Sequence, residues 1–262
     1  MTVRLLMVGD VVGEPGQRIL SERLPALRRE TRADFCVANV ENAANGSGFT
    51  PEILDQLAEA GVDVFTAGDH FYSNKRIFKT LSKDPRLLKP ANLSPLSIGR
   101  GFGIYDLPGG AKILVFCLLG RMFMKPMDCP FRAADALLAR RDAAADVRLV
   151  EFHAEATAEK VAMGWHLDGR VSAVAGTHTH VPTADERVLP GGAAYITDVG
   201  MTGPHDSVIG RRTDRVLHFL ATQMPVPFDV ASGDVRLHAA LVRINAKTGA
   251  TEGIARVEAR EE

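Results

Sequence analysis

Apolar runs alternate with stretches of helical periodicity along most of the chain. The first apolar run covers residues 3–9, and residues 17–29 then carry apolar side chains every three or four positions, as an amphipathic helix does. The same succession returns at residues 34–40 and 51–60, and another apolar run follows at residues 62–67. Strands that alternate with helices in this way predict an α/β fold with parallel neighbours in the sheet.

Two predicted hairpins add antiparallel strands to this arrangement. Residues 102–107 and 111–118 flank a Pro-Gly-Gly turn, and residues 235–244 and 251–257 flank a second turn near the end of the chain. We therefore expect mixed sheets. Further strands are predicted at residues 147–152, 174–176 and 193–200, further helices at residues 75–81, 131–141 and 154–164, and a loop forming a pocket wall at residues 201–206. Since no repeat or linker interrupts the pattern, we expect one domain over residues 1–262.

Composition excludes several classes of protein. The 262 residues are 46% hydrophobic and 24% charged, which is typical of a globular protein with a sizeable core. A formal net charge of -1 gives no electrostatic reason for binding nucleic acid or an anionic membrane. The start of the chain has no signal-peptide layout and no apolar run reaches the length of a membrane span, so we expect a cytoplasmic protein.

The three cysteines give no sign of a disulfide framework or a zinc site. Cys36, Cys117 and Cys129 are an odd number without zinc-type spacing, and the first two lie inside apolar runs. We expect all three to be reduced core residues.

Potential metal ligands follow one predicted strand after another. A single acidic residue at the end of a strand is usually a helix cap or a turn former, but a repeated pattern at the edge where α/β sheets bind ligands has no such explanation. His178 and His180 would point to the same side if their backbone were extended. In chain order the candidate ligands are Asp10, Glu41, Asn42, Asp69, His153, His178 and His180.

Carboxylate, amide and imidazole groups suit two divalent cations, with Glu41 as the bridging ligand. Two such ions can bind the attacking and the leaving oxygens of a displacement at phosphorus. His70 is next to a candidate ligand and could protonate the leaving oxygen. Arg121 follows another strand end, where it could bind a phosphate group or form a structural ion pair. His166 lies outside the pattern of strand ends and is set aside.

The motifs around these residues resemble the bacterial YmdB-like metallophosphoesterases. The similarity extends from residue 1 to about residue 210. The motifs that carry it are Gly9-Asp10-Val11-Val12-Gly13, Asn39-Val40-Glu41-Asn42, Gly68-Asp69-His70, the stretch from Phe152 to Thr157, the stretch from Gly176 to Asp185, and the stretch from Thr197 to Gly203.

The resemblance implies a four-layer αββα sandwich of two mixed β-sheets flanked by helices. It also implies two metal ions per chain, iron before manganese or zinc, and hydrolysis of 2′,3′-cyclic nucleotides by attack of a metal-bridging hydroxide on phosphorus. A homodimer or tetramer is a further expectation. By residue-to-residue transfer, one metal would be held by Asp10, Glu41, Asn42 and His180, the other by Glu41, Asp69, His153 and His178, and His70 would be the proton donor.

Two departures from the expected pattern bear on the chemistry. The wider superfamily opens with Asp-x-His, whereas Asp10 is followed by two valines, so Asn42 would have to replace a ligand. The family also often has Gly-Asn-His where this chain has Gly68-Asp69-His70. The additional carboxylate would make the centre nearly neutral, since about four negative charges would face about four positive ones. We hypothesise that Asp69 favours a more highly charged metal state, such as one ferric ion, or slows turnover.

Other functions remain open from the sequence. A phosphomonoesterase or a 3′,5′-cyclic nucleotide phosphodiesterase would use the same metal ligands, while loops such as residues 43–50, 121–131 and 199–207 would select the rest of a small phosphorylated substrate. A metal-bound regulatory or scaffold protein with incidental hydrolysis is a second alternative. A purely structural α/β protein gives no reason for ligands to recur at successive strand ends.

Overall fold

Two mixed β-sheets packed face to face form the centre of the computed structural model, which describes residues 1–261. The first sheet has the strand order β2 (Asp10–Val11), β12 (Met201–Pro204), β13 (Val235–Asn245), β1 (Thr2–Val8), β3 (Phe35–Asn39), β4 (Val64–Thr66) and β5 (Leu87–Leu88), with β14 (Thr251–Arg260) paired to β13. The second sheet has the order β10 (Arg187–Val188), β11 (Ala194–Ile196), β9 (Ala173–Thr177), β8 (Val147–His153), β7 (Lys112–Leu119) and β6 (Phe102–Asp106).

Helices cover the outer face of each sheet. On the first sheet these are α1 (Gly13–Thr31) and α2 (Pro51–Glu59), and on the second they are α3 (Pro130–Leu138) and α4 (Thr157–Leu167). The last helix, α5 (Thr213–Thr222), contributes no buried residue to either layer. Short 3₁₀ turns cover Lys75–Lys79, Pro108–Gly110 and Arg141–Ala143. The order helix, sheet, sheet, helix confirms the predicted αββα sandwich.

Alternating side chains of each strand explain why the sheets are covered on both faces. In β1, Leu5 and Met7 pack between the two sheets, whereas Leu6 and Val8 pack beneath α1. Side chains two residues apart share a face, so an unbroken apolar run buries both faces of the strand. Each such side chain contributes about 1.5–3 kcal/mol when it is fully buried.

Parallel pairing brings the candidate residues to one edge of the molecule. β1, β3 and β4 are parallel neighbours in the first sheet, and β7, β8 and β9 are parallel neighbours in the second. Their carboxyl ends therefore lie together, which is where open α/β sheets bind ligands.

Several predicted boundaries are wrong. Helix α1 begins at Gly13 rather than at residue 17, because Pro15 is tolerated in the first turn, where backbone N–H groups have no partner within the helix. Helix α4 begins at Thr157 and continues through His166. Residues predicted as a loop form strand β12, and α5 was not predicted at all.

The cysteines and the helix lengths bear on two further predictions from the sequence. All three cysteines are free, but only Cys36 and Cys117 are buried, so the expectation of a core position is wrong for Cys129. No helix among residues 1–261 has the length and apolar character needed to cross a membrane.

Candidate metal centre

The candidate residues extend from both sheets into one site. Asp10 forms half of the short strand β2, which pairs with β12. Glu41 and Asn42 follow β3, and Asp69 and His70 follow β4. From the second sheet come His153, the last residue of β8, and His178 and His180, which follow β9. The structure thus brings together every candidate metal ligand that the sequence analysis selected, together with His70.

Four of these side chains can each place one ligand atom within 4.8 Å of the others: Glu41, Asp69, His153 and His178. His153 lies at their centre. Its Nε2 atom is 3.1 Å from Glu41 Oε1, 3.5 Å from Asp69 Oδ1 and 3.0 Å from His178 Nδ1. Two carboxylates and two imidazoles at these separations form a donor set that suits a divalent cation.

Buried hydrogen bonds fix the His153 ring. Its Nδ1 atom lies 2.9 Å from Thr177 Oγ1, which donates its hydroxyl hydrogen to Glu151 Oε1 at 2.7 Å. Because the hydroxyl hydrogen is directed to Glu151, the threonine oxygen accepts from Nδ1–H, and Nε2 faces Glu41 and Asp69. Asn39 donates to the same Glu151 oxygen at 2.5 Å. Metal-binding histidines are usually held through their second nitrogen in this way.

Asp10, Asn42 and His180 lie beside this group of four. The fully buried Asp10 accepts the His178 backbone N–H at 3.1 Å through Oδ2, while its Oδ1 has no hydrogen-bond partner. Asn42 Nδ2 lies 3.2 Å from His180 Nε2 and 3.3 Å from Glu41 Oε1. His180 Nδ1 donates to the Ile209 carbonyl at 2.9 Å, which leaves Nε2 directed towards Asn42.

The backbone at the two histidines differs from the extended form that was predicted. Strand β9 ends at Thr177, and His178 and His180 have positive φ angles of 95° and 65°. Such angles are uncommon for residues other than glycine and are kept only where surrounding contacts fix them. Asp198 supplies such contacts: its Oδ2 accepts from the backbone and hydroxyl of Thr179 and, at 2.6 Å, from the buried Lys160 Nζ.

His70 stands at the mouth of the site and is partly exposed. Its Nδ1 atom lies 2.8 Å from Asn42 Oδ1, and its backbone N–H donates to Glu41 Oε2 at 3.2 Å. An amide oxygen can only accept, so Nδ1 carries a hydrogen. The other ring nitrogen, Nε2, can then form a hydrogen bond with a ligand.

The charges of the site are unbalanced without a cation. Burial raises the pKa of Asp10 to about 7, the charge on His153 opposes this effect, and Glu41 adds to it. Burial also favours neutral His153, but Glu41 and Asp69 outweigh it and raise the pKa of His153 well above its usual value. The negative charge that holds a proton there would equally attract a metal ion.

Two structural observations show that the residues fit a metal ion. Asp10 Oδ1 and Asp69 Oδ1 are buried and have no hydrogen-bond partner, which is costly unless a cation or another ligand binds them. Gly68 lies so close to His153 and Glu41 that a Cβ atom at this position would overlap with both side chains. The backbone therefore leaves just enough room for the donor atoms to converge.

A model of the family described as YmdB-like protein matches residues 6–257. The chain belongs to the YmdB-like family. This confirms the resemblance inferred from the sequence motifs.

Relatives of this YmdB-like chain cover nearly its whole length. A 2′,3′-cyclic-nucleotide 2′-phosphodiesterase of Bacillus subtilis is 42% identical over 255 residues, which is 97% of this chain and 96% of that protein. A hypothetical protein from Thermus thermophilus has a crystal structure with a TM-score of 0.94 and 42% identity, covering 99% of this chain and 100% of that one. The structure of a novel phosphatase from Mycoplasma pneumoniae also has a TM-score of 0.94, with 32% identity, 100% of this chain and 95% of that chain covered.

The sequence analysis assigned no role to the buried polar residues whose hydrogen bonds orient the candidate ligands of this YmdB-like chain. Asn39 and Glu151 are polar residues inside otherwise apolar strands, and this interruption was an available signal because buried polar groups need partners. Thr177 and Asp198 lie within stretches that carry the family resemblance, but neither they nor Lys160 were assigned a role.

Arg121 and His166, which the sequence analysis also considered, lie elsewhere in the YmdB-like chain. Arg121 donates its backbone N–H to Glu159 and lines a separate surface cavity beside Met122. His166 Nε2 lies 2.9 Å from Asp135 on the outer face of the second sheet. Both residues therefore lie outside the group of candidate ligands.

A cavity of about 510 Å³ opens from the metal centre of the YmdB-like chain. One side is polar and includes Glu41, Asn42, His70, His178 and His180, while residues between 208 and 228 form the other side. None of the loops predicted to select the substrate, residues 43–50, 121–131 and 199–207, is among its lining residues. Helix α5, which the sequence analysis missed, takes their place.

Proposed function

We propose that this YmdB-like chain is a dinuclear metal-dependent phosphodiesterase that hydrolyses 2′,3′-cyclic nucleotides. The observation that carries the proposal is the convergence of Glu41, Asp69, His153 and His178 within 4.8 Å beside the unpaired oxygen of Asp10. The Bacillus subtilis phosphodiesterase, 42% identical over 97% of this chain, supports the substrate class. The cavity volume of about 510 Å³ lies in the range of small-molecule sites.

The proposed ligand sets are those expected from the sequence. Asp10, Glu41, Asn42 and His180 would hold one ion, and Glu41, Asp69, His153 and His178 the other. Such ions supply Lewis acidity and lower the pKa of bound water, which allows hydrolysis at neutral pH. Iron is our first choice, with manganese or zinc as alternatives that the same donors accept.

We assign proton donation to His70. The bond between its Nδ1 atom and Asn42 Oδ1 orients the ring, and the ring lines the cavity. When the ring is doubly protonated, Nε2–H is the group that can donate to the leaving ribose oxygen. Glu41 Oε1 lies 3.6 Å from Nδ1, on the side of the ring away from Nε2.

The test is hydrolysis of 2′,3′-cAMP beside 3′,5′-cAMP and p-nitrophenyl phosphate, with metal content measured on the same sample purified without chelator. We expect selective opening of the 2′,3′ ring, about two metal ions per chain, and loss of activity in Glu41→Gln and His70→Ala. His166→Ala is a matched control that should retain activity, because His166 lies on the outer face of the second sheet.

Other results would identify a different function. Preference for p-nitrophenyl phosphate would indicate a phosphomonoesterase, and preference for 3′,5′-cAMP the other class of diesterase. Bound metal without turnover of any substrate would favour the regulatory or scaffold role. Assembly as a homodimer or tetramer, a cytoplasmic location and one domain over residues 1–262 stay predictions.

A further inference from the structure

The side of the cavity opposite the metal centre is lined mostly by apolar side chains. We call this surface the apolar wall, and it consists of Val208, Ile209, Val216, Phe219, Leu220 and Phe228. Every member lies within one stretch of chain that includes α5. No residue of that helix is fully buried.

The apolar wall is exposed although its composition resembles a core. Phe219 is 37% exposed, Phe228 is 43% exposed and Leu220 is 67% exposed. The two phenylalanine rings contact each other edge to face, with centroids 5.4 Å apart and an angle of 89° between their planes. Contiguous exposed apolar side chains beside a polar site commonly form part of a ligand pocket.

Hydrogen bonds hold the apolar wall at a fixed position relative to the metal centre. His180 Nδ1 donates to the carbonyl of Ile209 at 2.9 Å, so a proposed metal ligand and a wall residue share one bond. Arg211 donates to the carbonyls of Asn45 and Phe228 at 3.1 and 2.8 Å, and also to the Gly46 carbonyl. This guanidinium connects the loop after Asn42 to the wall through three hydrogen bonds to backbone carbonyls.

We propose that the apolar wall binds the nucleobase of the substrate, mainly by stacking against Phe219 and Phe228. This inference rests on the proposed function. A cyclic phosphate is small and polar and is accounted for by the metal centre, whereas the base has flat faces that suit aromatic rings. Stacking discriminates little between bases, because each has a π face. The wall therefore selects nucleotides over other phosphodiesters, and not one nucleotide over another.

The test compares substrates with and without a base in the metal-loaded full chain. KM is measured for 2′,3′-cAMP and for ribose 2′,3′-cyclic phosphate, using the wild type, Phe219→Ala, Phe219→Tyr and Leu217→Ala. In the wild type we expect KM to be about tenfold or more lower when the base is present, as one base–aromatic stack can provide. Phe219→Ala should remove most of this preference, and Phe219→Tyr should restore it. Leu217 lies on the same helix but outside the cavity, so Leu217→Ala should behave as the wild type.

Two results would overturn the proposal. Equal KM values for both substrates in the wild type would mean that contacts between the base and the wall contribute nothing to substrate binding. An equal loss on both substrates in Phe219→Ala would mean that the side chain only supports the fold. Sedimentation of the wild type and Phe219→Ala examines a second copy of the chain as the occupant: loss of a dimer with an unchanged base preference would assign the wall to that copy.

Adenosine binding separates this proposal from the proposed function. Adenosine has the base but no phosphate, and its binding is measured by calorimetry without turnover. If neither cyclic phosphate is hydrolysed, the proposed function fails, yet adenosine binding that weakens in Phe219→Ala but not in Leu217→Ala would still support the wall as a base site. Absence of adenosine binding together with absence of base preference would exclude it.

Discussion

The polar and apolar sides of the cavity are constructed in opposite ways. Around the metal centre, Asp10, Glu41 and His153 are almost completely buried, and other buried polar groups such as Thr177 hold their orientation. The apolar wall is formed by exposed side chains such as Phe219 and Leu220, on a helix with no buried residue. The comparison indicates that the reactive groups depend on the core of the fold, while the proposed recognition of the base depends on a surface helix.

The largest effect should come from removing a proposed metal ligand. Asp10→Ala removes the carboxylate that has an unpaired buried oxygen, and with it part of the negative charge that attracts a cation. We expect a loss of about 1,000-fold or more in kcat/KM, with and without a base on the substrate, since metal ions contribute several kcal/mol of charge stabilisation. Metal analysis of the purified variant should show fewer ions per chain. Unchanged metal content and activity would contradict the assignment of Asp10.

A smaller effect should follow from changing a residue that acts through a ligand. Thr177→Val keeps the shape of the side chain but removes the acceptor for His153 Nδ1–H. Loss of such a partner typically costs about 10–100-fold in metal affinity or activity. Titration with a chelator measures the affinity, and Thr222→Val at the exposed end of α5 is the matched control. If both variants kept wild-type affinity, the buried bonds would not be needed to hold the metal.

Asp69→Asn should change the balance of charge within the polar side while preserving its shape. With one negative charge fewer, we expect the proportion of ferric iron to fall or turnover to rise, by about tenfold if the change in charge stabilisation is about 1.4 kcal/mol. Spectroscopy of the iron and steady-state kinetics on the same sample measure both quantities. The hypothesis about Asp69 is wrong if neither metal state nor hydrolysis rate changes.

A histidine pair that lies outside both sides of the cavity should affect the stability of the fold and have the smallest effect on catalysis. His205 and His238 stack with ring centroids 4.7 Å apart, with Arg236 and Glu258 beside them. Burial, followed by the charge of His205, lowers the pKa of His238 to about 4 from 6.5, despite the opposing effect of Glu258. The unfolded chain therefore binds a proton below about pH 6.5 that the folded chain excludes until about pH 4.

Stability should consequently fall as pH decreases through that window, by about 1–3 kcal/mol from this histidine. In urea unfolding at pH 7 and pH 5, His238→Gln should lose less stability between the two values than the wild type does. His218→Gln, which changes an exposed histidine of α5, is the control. An identical pH dependence in wild type and His238→Gln would contradict this contribution.

The convergence of the candidate ligands could be predicted because they follow strand ends, where both type and position carry information. Asp69 and His153 were selected in this way. Their supporting partners were harder to recognise, because a threonine at the end of a strand, such as Thr177, is as common without a metal site as with one. The positive φ angles of His178 and His180 depend on contacts with Asp198 and Ile209, which are distant in sequence and could not be inferred from the local pattern.

The apolar wall was missed for a different physical reason. Helical periodicity is interpreted as one apolar face against a core, and that interpretation succeeded for α1, whose Leu20 and Leu24 are buried. In α5 the apolar residues Val216, Phe219 and Leu220 have helical spacing, but the face that they form lines the cavity instead of packing against a core. Predicting a substrate wall there requires knowing which surface lies opposite the metal centre.

The absence of buried residues in α5 has an evolutionary consequence. Substitutions at exposed positions usually change stability by less than about 0.5 kcal/mol, so mutations in this helix rarely threaten folding. Substitutions around His153 affect buried side chains that are held by hydrogen bonds, and they should therefore cost more stability. We therefore expect the proposed recognition of the base to change through a few substitutions in one helix more readily than the proposed metal chemistry.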